Sequence, residues 1–173
     1  LKYRNLLTII YQSNPYKNIF PADRLEMVLS HVNEDTLKKL AKEIISSSSL
    51  SYLEHVVQQM SDKDAFLSDP AVQDRIKARF IRNPSNIVDT AYLTQETLSD
   101  PQVQDSLKKT AIYALGIGDS IDSYLKYIVD RETFFASQEV QDAFIKGTTF
   151  VVNGGGSVAH LLPYGDEIDK YRK

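Results

Sequence analysis

The chain has 173 residues, 42% of them apolar and 25% charged, with 23 acidic against 20 basic side chains and a net charge of −3. That composition supports one packed domain and excludes wholesale disorder, and the acidic excess disfavours a nucleic-acid backbone as main partner. There is no cysteine, which excludes a disulfide framework, a thiolate metal site and a cysteine nucleophile.

No apolar run approaches the roughly 20 residues that a transmembrane helix needs, and no Asn-x-Ser/Thr acceptor has a permissive middle residue. Together with the missing cysteines this leads one to expect an intracellular, cytoplasmic protein. The first residue is Leu1 rather than methionine, which fits a fragment or a processed product.

In chain order, apolar residues recur at intervals of three and four and predict helices near 2–12, 21–32, 34–47, 50–66, 70–82, 85–98, 101–115, 120–135 and 138–152. Leu37, Ala41, Ile44 and Ile45 form one apolar face, Leu53, Val56, Val57 and Met60 a second, and Val72, Ile76 and Phe80 a third. The start signals are specific. Ser51 with Glu54 reads as a capping box. Asp69-Pro70 and Asp100-Pro101 each set a capping carboxylate before a proline at the first helical position, where the missing N–H costs nothing; Asn83-Pro84 repeats the pattern. Gly116 can end a helix in the left-handed conformation and Asp119 can cap the next. Thr148-Thr149-Phe150-Val151-Val152 is the best strand candidate, and it is short. From Asn153 onward the pattern reads as a glycine linker, a short apolar patch and a charged end.

The strongest signal is an internal repeat. Ser68-Asp69-Pro70-Ala71-Val72-Gln73-Asp74 differs from Ser99-Asp100-Pro101-Gln102-Val103-Gln104-Asp105 only at its fourth position, and Ser137-Gln138-Glu139-Val140-Gln141-Asp142 keeps the Val-Gln-Asp. Leu67, Leu98 and Phe135 precede the copies at the same place. Downstream, Val72/Ile76/Phe80 corresponds to Val103/Leu107/Ala111 and to Val140/Phe144/Thr148, with Leu37/Ala41/Ile45 as a weaker fourth member. The spacing of these anchors suits two helices and two turns, a unit that buries its apolar face only against a neighbour.

In hairpin length, capped helix starts and apolar spacing, residues 34–152 resemble the HEAT and armadillo class of α-solenoids. The resemblance implies an all-α, short right-handed α-solenoid of about four helical hairpins. Residues 1–152 would then form a single helical-repeat domain, with 1–32 an atypical capping pair and 153–173 a linker and tail. The alternative architecture is an irregular helical bundle.

Candidate chemistry is sparse. Gly116-Ile117-Gly118-Asp119 looks like the glycine-x-glycine-aspartate motif of intramembrane aspartyl proteases, but the span those need is missing and a helix stop explains it. Gly154-Gly155-Gly156-Ser157 lacks the lysine and following helix of a phosphate loop. His31, His55 and His160 share no metal-ligand spacing, and no nucleophile-elbow pattern surrounds a serine. Ser46-Ser47-Ser48-Ser49 reads as a polar turn, and Asp62/Asp64 and Asp166/Glu167 as solvated surface. Ten tyrosines without a tryptophan, several near turns or ends, offer interface area with a polar tip.

One polar pattern stands out: Arg75, Arg79 and Arg82 at i, i+4 and i+7. The matching seats of the other copies hold Ser106/Thr110/Tyr113 and Ala143/Gly147/Phe150. Guanidinium forks suit carboxylate and phosphate, so the stripe is the candidate partner-binding site; the plain alternative is an exposed face paired with neighbouring acids. The expected function is a non-enzymatic protein–protein interaction or scaffold module presenting a curved helical surface to a protein or peptide, acidic or phosphorylated, with no catalytic residue, cofactor or metal. The alternatives are a nucleic-acid-binding HEAT-like protein, opposed by the net charge, and an all-α enzyme, for which no constellation is visible.

Overall fold

The structure, a computed structural model, describes residues 22–47, 50 and 52–171. Every regular element among them is a helix. The chain divides into two compact units, Leu1–Arg79 and Phe80–Lys173. The helix expected near 2–12 lies outside the described residues.

The first unit contains α1 (Ala22–Leu29), α2 (Glu34–Ser46), α3 (Leu53–Val57), α4 (Lys63–Ser68) and most of α5 (Pro70–Arg82). Asn33 starts α2 by accepting the Thr36 N–H at 2.9 Å. Leu37, Leu40, Ala41, Ile44 and Ile45 of α2 are buried, as are Leu53, Val56 and Val57 of α3, which packs on α2 and on the Leu25/Leu29 face of α1. The single helix expected over 50–66 is broken at residues 58–62. Asp62 accepts the Ala65 N–H at 3.0 Å and opens a new helix, while the Ser61 N–H donates to Glu34 Oε2 at 3.0 Å and fixes the break to the start of α2. That backbone bond is the main reason the Glu34 carboxyl sits below its usual range. Ser51 of the expected capping box lies outside the described residues; Glu54 accepts instead from Lys63 Nζ at 2.8 Å and from Gln58 Nε2 at 2.9 Å.

The second unit contains a 3₁₀ turn (Ile87–Tyr92), α6 (Gln95–Leu98), α7 (Pro101–Gly116), α8 (Asp122–Leu125), α9 (Arg131–Ala136), α10 (Gln138–Asn153) and α11 (Leu162–Tyr171). Three expectations are corrected here. No continuous helix covers 85–98, because Asn83 accepts the Ser85 hydroxyl at 2.8 Å instead of capping a helix, and Thr94 starts the short α6. The helix expected over 120–135 is two short ones: Gln104 donates to Tyr127 O at 2.8 Å and accepts from the Val129 N–H at 3.0 Å, holding the intervening chain in a bend. The stretch after Asn153 is no mere tail, since it forms α11, with Leu161, Tyr164 and Ile168 buried. Thr148–Val152, the strand candidate, lies within α10. The α7 helix does end at Gly116, but the left-handed residue is Gly118, φ 82°, and α8 follows Ile121 without a side-chain cap from Asp119.

The repeat corresponds to a recurrent local device. A short helix (α4, α6, α9) is capped at its start by Asp62, Thr94 or Asp130 accepting the amide three residues on. One extended residue then caps the long helix (α5, α7, α10): Asp69 accepts the Ala71 N–H, Asp100 the Gln102 N–H and Ser137 the Val140 N–H. The repeated glutamine reaches back over this elbow to a carbonyl of the short helix, Gln73 to Leu67 O at 2.6 Å, Gln104 to Leu98 O at 2.8 Å and Gln141 to Ala136 O at 3.4 Å. The valine beside it is buried in all three copies.

Within the second unit α7 and α10 form the main helix pair. A Cβ at Gly116 would meet Ala143 and Lys146, one at Gly147 would lie 1.9 Å from Leu115 O, and one at Gly118 would strike Val151. Further back, Lys109 lies within the field of Glu139. The pairing advances in step along both helices, so they run in the same direction.

Candidate functional site

The arginine stripe is carried by α5. Its helix begins where Asp69 and Pro70 put it, and the three residues do share one side of α5. Their surroundings nevertheless separate them. Arg79 is only 6% exposed, and its Nη1 donates to the carbonyl of Ser47 just beyond the end of α2. Arg75 is exposed, with Nη1 at 3.5 Å from Ser46 Oγ. Ser47 itself turns its N–H and hydroxyl onto Ile44 O, at 3.0 and 2.7 Å. Two guanidinium groups therefore gather at the carbonyl end of α2, where the helix dipole favours positive charge. Arg82, also exposed, belongs to the second unit.

The remaining sequence candidates resolve into structural contacts. The Nδ1 atom of His31 lies 2.9 Å from Met27 O, His55 Nδ1 3.2 Å from Glu26, and His160 Nε2 2.7 Å from Gly118 O. Among the described residues no group of three or more histidines and carboxylates is placed to hold a metal ion. The amides of Gly154, Gly155 and Gly156 donate to Phe150 O, Val152 O and Val151 O, so they are already spent on their own helix end rather than offered to a phosphate. Tyr164 accepts the Ile121 N–H at 3.0 Å, donates to Asp122 Oδ1 at 3.0 Å and lies 2.8 Å from Ser120 Oγ. One buried phenol thus fastens α11 to the chain leading into α8.

Pattern reading missed a different feature. On α10 the residues Ile145, Phe150 and Val152 are 57%, 64% and 59% exposed, and Leu162 at the start of α11 is exposed as well. Beside Ile145 an open groove of about 120 Å³ runs between α10 and α11, lined by Gln141, Phe144, Ile145, Gly165, Ile168 and Asp169. Phe144 forms its floor: a Cβ at Gly165 would lie 2.9 Å from the ring, so the glycine lets the two helices close on it. A signal was available, because Ile145 and Val152, at i and i+7, lie well off the Val140/Ala143/Phe144/Val151 side of α10, and one buried face cannot take both sets. The second unit carries 13 acidic against 9 basic side chains. On α11 itself Asp166, Glu167 and Asp169 face a single base, Lys170, which is bonded to Glu167 and held above its usual range by it.

Compared with protein families, with characterised proteins and with solved structures, the chain matches none. Among the described residues no helix is long and apolar enough to cross a membrane.

Proposed function

We propose that this chain is a non-enzymatic protein-interaction module, a short α-solenoid that offers a helical surface to a protein or peptide partner. The observation that carries the reading is the exposed apolar pair Ile145 and Val152, i and i+7 on one side of α10, with Leu162 exposed on the adjoining α11 and Phe150 exposed on the far side of α10, since apolar side chains gathered on one face mark interaction surfaces. The solenoid part draws support from the parallel run of α7 and α10, two helices that occupy the same place in the repeat; equivalent helices of stacked hairpins run the same way. HEAT- or armadillo-like stacking extends that reading. In it, Arg75 and Arg79 serve the end of α2, so the acidic or phosphorylated ligand expected at the stripe is replaced by an apolar partner surface. A nucleic-acid backbone suits a unit richer in acids than in bases poorly.

The test is affinity capture with the intact chain as bait, quantified by mass spectrometry, beside the triple variant Ile145→Ser/Phe150→Ser/Val152→Ser. The expected result is a stoichiometric protein partner on the parent chain, depleted at least tenfold on the variant and indifferent to nuclease. Circular dichroism would show both chains equally helical. Equal recovery on the variant, or recovery only of nucleic acid released by salt, overturns the reading.

A further inference from the structure

We propose that Ser46 is a phosphorylation site and that Arg75 binds the resulting phosphoserine, stapling the end of α2 to α5. The inference goes beyond the interaction-module reading and does not depend on it.

The acceptor is open. Ser46 is the last residue of α2 and heads the run Ser46-Ser47-Ser48-Ser49. Its side chain is exposed, and its hydroxyl donates to Lys42 O at 2.9 Å. The last turn of a helix frays readily, so a modifying enzyme meets a segment that opens at little cost. The guanidinium is in place as well. Arg75 Nη1 stops 3.5 Å from Ser46 Oγ, a length at which a neutral oxygen gains little from it. Among the described residues no carboxylate pairs with Arg75, so an exposed face bonded to neighbouring acids does not account for it. One turn on, buried Arg79 donates to Ser47 O and holds this stretch of backbone against α5, which keeps Ser46 beside Arg75.

A phosphate on Ser46 Oγ brings nearly two negative charges and three strong acceptors to a guanidinium fork that the bare hydroxyl only approaches. An anion at the carbonyl end of a helix is unfavourable by itself. Arg75, Arg79 and Lys42, against Glu43 and Asp74 as the adjacent acids of α2 and α5, reverse the local sign. A free phosphate ion meets the same helix end without being tethered, whereas a phosphoserine pairs within the molecule, and this selects the covalent form. The seat of Arg75 holds Ser106 in α7 and Ala143 in α10, so the device is private to the first unit. The phosphoryl group comes from a nucleoside triphosphate through a protein kinase. An Oγ–P bond replaces the Oγ–H bond, the nucleoside diphosphate leaves, and the hydroxyl proton passes to the kinase's base.

The probe is the intact chain carrying phosphoserine at position 46 alone, installed during synthesis, beside the unmodified chain and Arg75→Ala in both forms. Phosphorus NMR follows the second ionisation of the phosphoserine, ordinarily near about 6. It is expected to fall in the parent chain and to return in Arg75→Ala. In urea, phosphorylation should lower the unfolding constant at least fivefold in the parent and not in Arg75→Ala. Mass spectrometry of the chain recovered from its own cells under phosphatase inhibition should find phosphate on Ser46. An ionisation indifferent to Arg75, a phosphorylated chain no more stable than the unmodified one, or a Ser46 that its own cells leave bare overturns the proposal. Inorganic phosphate giving the unmodified chain the same gain in stability overturns it too, by showing a seat for a free anion.

Discussion

Helices α5 and α10 occupy the same place in the repeat and use it in opposite ways. Both start from the same elbow, and both bury the valine that follows it. One side of α5 holds Arg75, Arg79 and Arg82, where α10 has Ala143, Gly147 and Phe150. The middle seat is buried in each. In α5 it is filled by a long guanidinium that crosses to the Ser47 carbonyl; in α10 it is emptied to a glycine so that the backbone of α7 can come within contact of it. The repeat thus dictates where a long helix begins and which edge faces inward, while the neighbour decides what fills the lateral seats. The outer seat follows the same division, an exposed arginine in α5 and an exposed phenylalanine in α10.

Breaking the glycine seat should give the largest effect. In Gly147→Ala the new methyl would lie 1.9 Å from Leu115 O and 3.1 Å from the Gly118 amide, both backbone atoms that cannot swing aside. Separating α7 from α10 to admit it should destabilise the second unit by about 3 kcal/mol, read as a fall in the unfolding midpoint in urea. Thr110→Ala, the same seat in α7, should cost under about 1 kcal/mol, because its half-buried hydroxyl bonds only to Ser106 O of its own helix. Similar losses at the two positions would show that the seat is not read by its neighbour.

The filled seat should come next. Arg79→Ala removes a buried guanidinium and its bond to the Ser47 carbonyl, an expected loss of about 2 kcal/mol. Arg79→Met, which keeps the stem, should restore part of it. Arg75→Ala, one turn earlier and exposed, should stay within about 0.5 kcal/mol. Denaturant melts of the three variants check the order, and an Arg75→Ala loss as large as that at Arg79 would return the stripe to a single electrostatic unit.

Much of the helical layout could be read in advance because the signals were local. Asp69-Pro70 and Asp100-Pro101 place their helix starts within the reach of a single side chain, and the predicted and observed ranges of α5 and α7 nearly coincide. The failures are cases where a distant group decides. The bend between α8 and α9 depends on Gln104, more than twenty residues upstream, and the break after α3 depends on Glu34. Helix α11 was hidden by Pro163 and Gly165, poor helix formers, although Leu161, Tyr164 and Ile168 already had helical spacing. Only Phe144 explains that glycine. The arginine stripe was visible as a pattern, but its partners at Ser46 and Ser47 come from another helix. The exposed patch was the opposite case, since an apolar residue that nothing covers has the same letter code as one in the core.

The finest test separates the three elbows from one another. Gln104 makes three side-chain bonds, to Leu98 O, to Tyr127 O and from the Val129 N–H, so Gln104→Leu keeps the bulk and strands three backbone groups. Gln73 donates a short bond to Leu67 O from a buried position, and Gln141 a long one of 3.4 Å to Ala136 O from a half-exposed one. Water can replace the last but not the first. Glutamine-to-leucine substitutions should therefore cost about 2 kcal/mol at Gln104, about 1 at Gln73 and under about 0.5 at Gln141. Amide exchange at Val129 should rise at least tenfold in Gln104→Leu alone, because Gln104 Oε1 accepts the Val129 N–H and the other two glutamines reach different elbows. A flat series would mean that the glutamine is repeated for helix propensity and that the elbow closes without it. The graded series would make the same motif a strong lock at α7 and a weak one at α10, leaving the helix that carries the exposed patch as the one whose start is least firmly held.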